Sequence, residues 1–264
     1  MNAKELKIQA RQHGADLVGI ASAGSWEAWP NPANPRLIQP RCQSVVVIGR
    51  RVLRGALRGV EEGTSFGSTY RHYGQNWNEM TFLVRTIHDV ARVLEAAGAE
   101  AVPLLGGGTD LDCKALAYEA GLGSIGKGGF FLTPEYGHRQ RFGLILTDLA
   151  LDGDTRVDLD FCDDCDACLK ACPLDALVHT LGDAGFALDT QLCAVCQNGK
   201  FAGGEVSYER LDRLAASCGR ACMVALEGKI GNRFNEDFRK RSTWTRDING
   251  RPSVHPLVSK GAVK

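Results

Sequence analysis

The residues best suited to chemistry in this sequence are its ten cysteines, eight of which fall between positions 162 and 222. An even number of closely spaced cysteines indicates disulfides in a small secreted protein. This chain has 264 residues, and its first twenty are typical of an amphipathic helix followed by a strand, not of a signal peptide. Spacing therefore decides what the cysteines do, and it favours metal binding.

The first four of these cysteines form the run C-x2-C-x2-C-x3-C-P, from Cys162 to Pro173. Bacterial ferredoxins use this run to bind 4Fe–4S clusters, with three thiolates on one cluster and the fourth on the other. Zinc is an alternative, but a tetrahedral zinc site usually joins two separated knuckles. Structural free thiols are a second alternative. The run predicts a pair of iron–sulfur clusters.

Two such clusters need eight cysteine ligands, so the run requires four more. The chain supplies a CxxC pair and then a CxxxC pair, the latter one turn apart within a predicted helix from Tyr208 to Gly228. The crossed arrangement of two-cluster ferredoxins assigns the first cluster to Cys162, Cys165, Cys168 and Cys222. It assigns the second cluster to Cys172, Cys193, Cys196 and Cys218.

The other candidate ligands have simpler interpretations. Cys42 and Cys113 are expected in the core, because free cysteine is among the most buried residue types. None of the six histidines forms a convincing metal-ligand pair. His72 lies in a glycine-rich segment, where it could face a cofactor or donate a proton, but a surface position is the simpler reading.

A second candidate for binding is the glycine-rich segment AGLGSIGKGG, residues 120–129. It satisfies G-x-G-x-x-G, but it follows a predicted helix, and Gly128 stands where a P-loop needs serine or threonine. A flexible turn is the simple interpretation. Five glycines in nine residues would also let the backbone approach a large flat or anionic ligand, with Lys127 near a phosphate or carboxamide. We favour a loop that faces a cofactor.

The elements that must position these residues predict a mixed α/β (α+β) fold, with an N-terminal α/β domain followed by a ferredoxin-like domain that holds both clusters. The predicted boundaries are 1–155, 156–228 and a C-terminal tail, 229–264. Strands are predicted at 44–49, 101–105 and 142–147 in a parallel sheet, with Gly55 to Gly74 as a long loop. Helices are predicted from Thr81 and from Thr109 to Ala120, the latter capped by Thr109.

Composition limits the partners. Thirty-one basic residues balance thirty-one acidic ones, so no overall charge draws the protein to nucleic acid or to an anionic membrane. No apolar stretch of about 18 residues could cross a bilayer. The basic run 239–241 is typical of a solvated tail. We therefore expect a cytoplasmic protein with neither a membrane nor a nucleic-acid partner.

Taken together, these motifs resemble those of the epoxyqueuosine reductase family, relatives of the cobalamin-dependent reductive dehalogenases. Three features carry the resemblance: the segment 120–127, the strand that ends in Thr147-Asp148-Leu149, and the cysteine run with its later cysteines. The resemblance implies a cobalamin held base-off in the N-terminal domain and reduced through the nearer cluster. The cofactor-binding residues that it implies are Tyr70, Tyr73, Gly121, Leu122, Gly123, Gly126 and Lys127.

The catalytic acid is the point at which this chain departs from the family. The family's proton-donating aspartate would fall at position 107, which is glycine here. Asp110 and Asp112 are the nearest candidates for that role, although both are out of register. About forty residues follow Cys222, too few for the helical-repeat extension that longer members use near tRNA, so a tRNA substrate is not expected.

The leading interpretation is therefore a cobalamin-dependent iron–sulfur reductase. An external donor such as ferredoxin or flavodoxin would supply electrons, and a small molecule would be reduced. One alternative is a two-cluster ferredoxin-type electron-transfer protein without cobalamin. Another is a corrinoid reductase or reactivator that serves a second enzyme.

Overall fold

The computed structural model describes residues 1–57, 67–105, 109–180, 185–196, 212–233, 242–246 and 252–256. The helices are α1 Ala3–Gln12, α2 Ala23–Trp26, α3 Val84–Ala96, α4 Cys113–Glu119, α5 Ala167–Lys170, α6 Thr190–Val195 and α7 Ser217–Leu226. A 3-10 turn spans Pro35–Leu37, and π-helical segments span Gly67–Asn76 and Asn78–Leu83. The strands are β1 Leu17–Ser22, β2 Ser44–Arg51, β3 Ala101–Leu105, β4 Ser124–Ile125, β5 Phe131–Leu132, β6 Gln140–Thr147, β7 Leu177–His179, β8 Phe186–Leu188, β9 Ser242–Arg246 and β10 Pro252–Pro256.

The central sheet has the order β1-β2-β6-β3, and every neighbouring pair is antiparallel. The expected parallel sheet is therefore wrong. The predicted strand, helix and strand are present as β2, α3 and β3, and β2 and β3 do run in the same direction. They are not neighbours, however, because the later strand β6 lies between them and pairs antiparallel with both. The mixed α/β class is confirmed.

Helices cover both faces of this sheet, which explains why β2 is buried over its first six residues. Val46 and Ile48 face α1 and α3, where they pack with Leu6 and Leu94. Val45 and Val47 point to the opposite face and pack with Trp26 of α2 and Leu116 of α4. Because successive side chains of a strand alternate between faces, a sheet covered on both sides needs an unbroken apolar run, as β2 has.

Two predicted boundaries differ from the structure. The helix predicted from Thr109 begins at Cys113, because the Asp112 carboxylate caps it by accepting from the backbone N–H groups of Lys114 and Ala115. The predicted loop from Gly55 to Gly74 is helical in its second half, where the π-helical segment Gly67–Asn76 leads towards α3. The helix that was predicted from Thr81 is thus the end of a longer helical path.

The cysteine-rich region has an apolar cluster of its own, distinct from the two clusters that cover the central sheet. Its apolar cluster joins Cys168, Cys218 and Leu226 to Phe130 and Leu132, which flank or belong to β5. The predicted helix from Tyr208 to Gly228 is present as α7, but 212–216 are not helical, and 208–211 lie outside the described residues. No helix in the described ranges is long and apolar enough to cross a membrane.

Candidate metal centre

The first group of thiols comprises Cys162, Cys165, Cys168 and Cys222. Cys162 and Cys165 lie in one turn, in which the Cys165 N–H donates to the Cys162 carbonyl at 3.1 Å, and α5 then presents Cys168. Cys222 arrives from α7, more than fifty residues later. Burial raises the pKa of the Cys222 thiol well above its usual range, and the neighbouring Cys168, Cys162 and Cys165 raise it further. The four thiols are therefore close enough to repel one another when ionised.

The second group lines a single cavity, to which Cys172, Cys193, Cys196 and Cys218 all contribute. Asp189 caps α6 by accepting from the N–H groups of Gln191 and Leu192, and this helix carries Cys193. Burial raises the pKa of Cys218, and Cys193 and Cys172 raise it further, while Arg213 lowers it. Cys172, Cys193, Cys196 and Cys218 thus line one cavity, and Cys222, on the same helix as Cys218, lies near Cys162, Cys165 and Cys168. The assignment of these cysteines to two clusters stays a prediction.

The donor set matches iron–sulfur clusters in kind and number, because eight cysteines are the ligands that two 4Fe–4S clusters need. A thiol must lose its proton to ligate a metal, and desolvation opposes that loss here, for instance by raising the pKa of Cys168 to about 11. Iron among four such thiols would supply the missing positive charge. Within the described ranges, no three His, Cys, Asp or Glu side chains stand close enough to share one ion.

The glycine-rich segment packs on the first group of thiols. A Cβ added at Gly126 would lie 2.8 Å from the Cys162 Sγ, and one at Gly128 would lie 2.7 Å from the Cys168 Sγ. Between them, the Lys127 Nζ donates to the Asp163 carbonyl at 2.6 Å. The backbone N–H of Lys127 also bonds to Cys162 and lowers its pKa, against the larger effect of burial. Glycine is needed here because any side chain would displace a thiol.

Earlier glycines in this segment meet backbone. A Cβ at Gly121 would lie 2.4 Å from the Thr155 carbonyl oxygen, and one at Gly123 would lie 1.9 Å from the Leu132 carbonyl oxygen. Both have positive φ, +67° and +149°. The buried side chain of Leu122 belongs to the core on the α4 side of the sheet. The predicted cofactor-facing loop therefore makes close contacts within the protein along most of its length.

A buried ionic network, which sequence patterns did not indicate, holds the start of α7 against the sheet. The Arg141 guanidinium on β6 lies 2.9 Å from Glu79 and 3.0 Å from Asp212, and all three side chains are at least 98% buried. Tyr70 completes the network, since its hydroxyl donates to Asp212 at 2.6 Å and accepts from Arg141 at 2.6 Å. Burial raises the pKa of Tyr70 well above its usual range. Asp212 thereby fixes the segment that leads to Cys218.

A buried histidine supports the same helix. The His138 Nε2 lies 2.8 Å from the Gly219 carbonyl oxygen, and its ring stacks on Phe130 with centroids 4.9 Å apart. Desolvation lowers the pKa of His138 to about 4, so the ring is neutral and Nε2 is the donor. No motif in the sequence indicates this role for His138, because its partner is a backbone carbonyl.

The residues predicted to bind a corrinoid or to donate a proton are scattered. Tyr70 is enclosed in the ionic network, whereas Tyr73 is 47% exposed and lies beside Trp77, with ring centroids 5.3 Å apart. The Asp112 carboxylate caps α4, and Asp110 is exposed. His72 is exposed, as its simpler interpretation had it. Position 107 and the basic run 239–241 lie outside the described residues.

Comparison with known proteins finds similarity to two groups of reductases. The epoxyqueuosine reductase of a Synechocystis strain is 29% identical over 181 residues, which cover 67% of this chain and 58% of the relative. The epoxyqueuosine reductase of Gloeobacter violaceus is 28% identical over 92% of this chain and 82% of its own length. A tetrachloroethene reductive dehalogenase of Desulfitobacterium hafniense is 27% identical over 72% of this chain and 33% of its own length. No family model matches the chain.

Solved structures show the same fold. A crystal structure of an epoxyqueuosine reductase superposes with a TM-score of 0.58 at 20% identity, covering 90% of this chain and 68% of that one. A reductive dehalogenase structure, described with a mechanism for B12-dependent dehalogenation, gives 0.57 at 20% identity and covers 94% of this chain and 33% of that one. The resemblance drawn from the glycine segment and the cysteine run is confirmed. The chain is related to both groups of reductases.

Proposed function

We propose that this chain is an iron–sulfur oxidoreductase with two 4Fe–4S clusters, one in each group of four thiols. The observation that carries the proposal is that Cys172, Cys193, Cys196 and Cys218 line one cavity, while Cys222 on the same helix lies near Cys162, Cys165 and Cys168. When bound, the clusters would supply one-electron transfer. Because Cys218 and Cys222 are one helical turn apart, about 5.4 Å, α7 would hold the two clusters within a short distance of each other.

We propose a further step, in which a cobalamin in the N-terminal region accepts the electrons and a small molecule, not tRNA, is reduced. One similar structure is that of a reductive dehalogenase described as B12-dependent. Of the two tyrosines proposed for this site, Tyr73 has an exposed side chain that a corrinoid could contact. Ile125, which lies beside the glycines, is also 49% exposed. Tyr70 has none, so we assign it to the ionic network.

A specific observation favours the electron-transfer protein without cobalamin as second candidate. Lys127, the residue proposed to meet a corrinoid phosphate or amide, already donates to the Asp163 carbonyl within the cysteine run. The glycines around it are in contact with Cys162 and Cys168. This segment therefore has a structural task that needs no corrinoid.

The two candidates differ in an anaerobic titration of the protein with cob(II)alamin, followed by electron paramagnetic resonance. A corrinoid site predicts a base-off cobalt signal that saturates near one equivalent. A cobalt spectrum identical to that of the free cofactor, together with signals from reduced clusters, would contradict the corrinoid step and leave the electron carrier. Cobalt reduction without turnover of any organic substrate would instead indicate a corrinoid reactivator. Such a protein would not need the family's proton-donating aspartate, which Gly107 replaces in this chain.

Two variants locate the corrinoid site within the same titration. Tyr73→Ala and Lys127→Ala should each weaken cob(II)alamin binding, whereas Met80→Ala, which removes another exposed side chain of the same helical path, should not. Iron content is measured first, since Lys127 also contacts the cysteine run. Unchanged dissociation constants in both variants would contradict the placement of the site.

A further inference from the structure

Arg213 lies near Cys168 and Cys218, and only 6% of its surface is exposed. Its Nη2 donates to the Gly128 carbonyl oxygen, in the loop that packs on Cys168. Its guanidinium carbon lies 4.5 Å from the centre of the Phe130 ring. These contacts fix the plane of the guanidinium, so its remaining donors have defined directions.

One of those donors has no partner among the described residues. The Arg213 Nη1 is fully buried, and no hydrogen-bond acceptor meets it in the described part of the chain. A buried donor that carries charge and lacks an acceptor costs more than the hydrogen bond itself would contribute, so such groups are rare unless a ligand satisfies them. Arg213 also lines the cavity that Cys172, Cys193, Cys196 and Cys218 surround.

Resting on the proposed function, we infer that Arg213 is a positioning residue for the second cluster: its Nη1 donates to a sulfur of that cluster and stabilises the cluster's reduced state. Hydrogen bonds to the sulfurs and nearby charge are among the factors that set cluster potentials. One-electron reduction adds a negative charge, and the electron comes from an external low-potential donor. Arg213 therefore raises the potential of the second cluster and favours it as the site that the electron occupies.

The test is a reductive titration of anaerobic, cluster-loaded protein, monitored by electron paramagnetic resonance. Arg213→Met removes the charge and the N–H donors while keeping a side chain of similar length. Arg213→Lys keeps the charge but lacks the planar, two-pronged guanidinium. Arg92→Met removes an exposed charge from α3 and serves as the control. Signals are assigned by comparison with Cys222→Ser protein, which retains all four ligands of the second group.

In Arg213→Met, the equilibrium constant for reduction of the second cluster should fall at least tenfold, which is 59 mV for one electron. Arg213→Lys should show a smaller fall in the same direction, and Arg92→Met none. Midpoints in both Arg213 variants that match that of Arg92→Met would overturn the inference. If Arg213→Met assembles only the first cluster, the midpoint of the second cluster in Arg213→Lys is compared with that of Arg92→Met instead, and equal midpoints would overturn the inference. Absence of both clusters from the wild-type protein would instead overturn the proposed function.

Discussion

The two sets of cysteines show that burial alone does not make a metal site. Cys42 is fully buried among aliphatic side chains of the sheet region, and burial raises its pKa to about 11. Cys168 is similarly buried and has a pKa of about 11, yet its pKa is also raised by Cys218, Cys162 and Cys165. For Cys42, the described neighbours that affect the pKa are backbone groups, Arg36 and Asp148. Proximity of thiols to one another, and not their burial, distinguishes the two regions.

The largest expected effect comes from removing one thiol of a group. Cys172→Ser should reduce the iron content from roughly eight to roughly four per chain by abolishing the second cluster, although Cys172 belongs to the run that otherwise serves the first. Cys222→Ser should abolish the first cluster instead. Cys113→Ala, in the sheet core, should leave the iron content unchanged. Electron paramagnetic resonance of the reduced variants identifies the cluster that remains.

That experiment also tests the crossing of ligands between the groups. If Cys172→Ser and Cys222→Ser abolished the same cluster, the partition would be wrong, even with a total of eight ligands. Loss of iron in Cys113→Ala would contradict the claim that the cysteines of the sheet core do not bind the clusters.

The ionic network should contribute most to stability among the polar contacts that join the two regions. Arg141→Met removes the cation that lies between the buried Glu79 and Asp212 carboxylates, and breaking a buried ion pair in this way costs about 3–5 kcal/mol. Arg85→Met, which removes an exposed arginine from α3, should cost less than about 0.5 kcal/mol. Urea unfolding of the cluster-loaded proteins measures the difference. Equal midpoints for the two variants would show that the network does not hold the regions together.

A smaller and more local effect is expected in the glycine segment. Gly126→Ala places a methyl group 2.8 Å from the Cys162 Sγ and should lower the occupancy of the first cluster while leaving the second intact. Gly24→Ala in α2 meets nothing within 4 Å and should leave both clusters unchanged. Iron content and the amplitudes of the two cluster signals provide the measurement. Full occupancy of the first cluster in Gly126→Ala would contradict the packing of this loop on the thiols.

The smallest expected effect is a pH dependence due to His138. Its pKa of about 4 in the folded protein lies below the value of 6.5 for an unperturbed histidine, so the unfolded chain binds more protons between these values. Stability from this group is therefore complete above pH 6.5 and is lost as the pH falls towards 4. Between pH 7 and 5.5 the wild-type protein should lose about 1 kcal/mol more than His138→Gln, which keeps an amide donor but does not titrate. Parallel losses in urea unfolding would contradict a neutral buried ring.

Sequence alone predicted the features that depend on local patterns. The apolar runs gave β2, β3 and β6, and the CxxxC spacing placed Cys218 and Cys222 on one helix. The antiparallel sheet was missed because pairing depends on where β6 inserts, about forty residues after β3 begins, and a buried antiparallel strand has the same apolar run as a parallel one. The cap at Asp112 was missed in favour of Thr109, since both residue types suit that position.

The contacts that join the two regions could not be predicted for a different reason. Tyr70, Arg141 and Asp212 are separated by up to 142 positions and meet only in the folded chain. The glycines of residues 120–129 were interpreted as a loop that faces a cofactor, and that interpretation stays a prediction. In the structure they approach Cys162, Cys168 and the backbone of the protein itself.

The most direct test of two clusters in two thiol groups is the iron and acid-labile sulfide content of anaerobically purified, 57Fe-labelled protein, with its Mössbauer spectrum. We expect about eight iron and eight sulfide atoms per chain, all in 4Fe–4S clusters, because each group of cysteines would supply four thiolates. Protein that contains zinc and no labile sulfide, or that binds a single cluster with all eight cysteines intact, would contradict it.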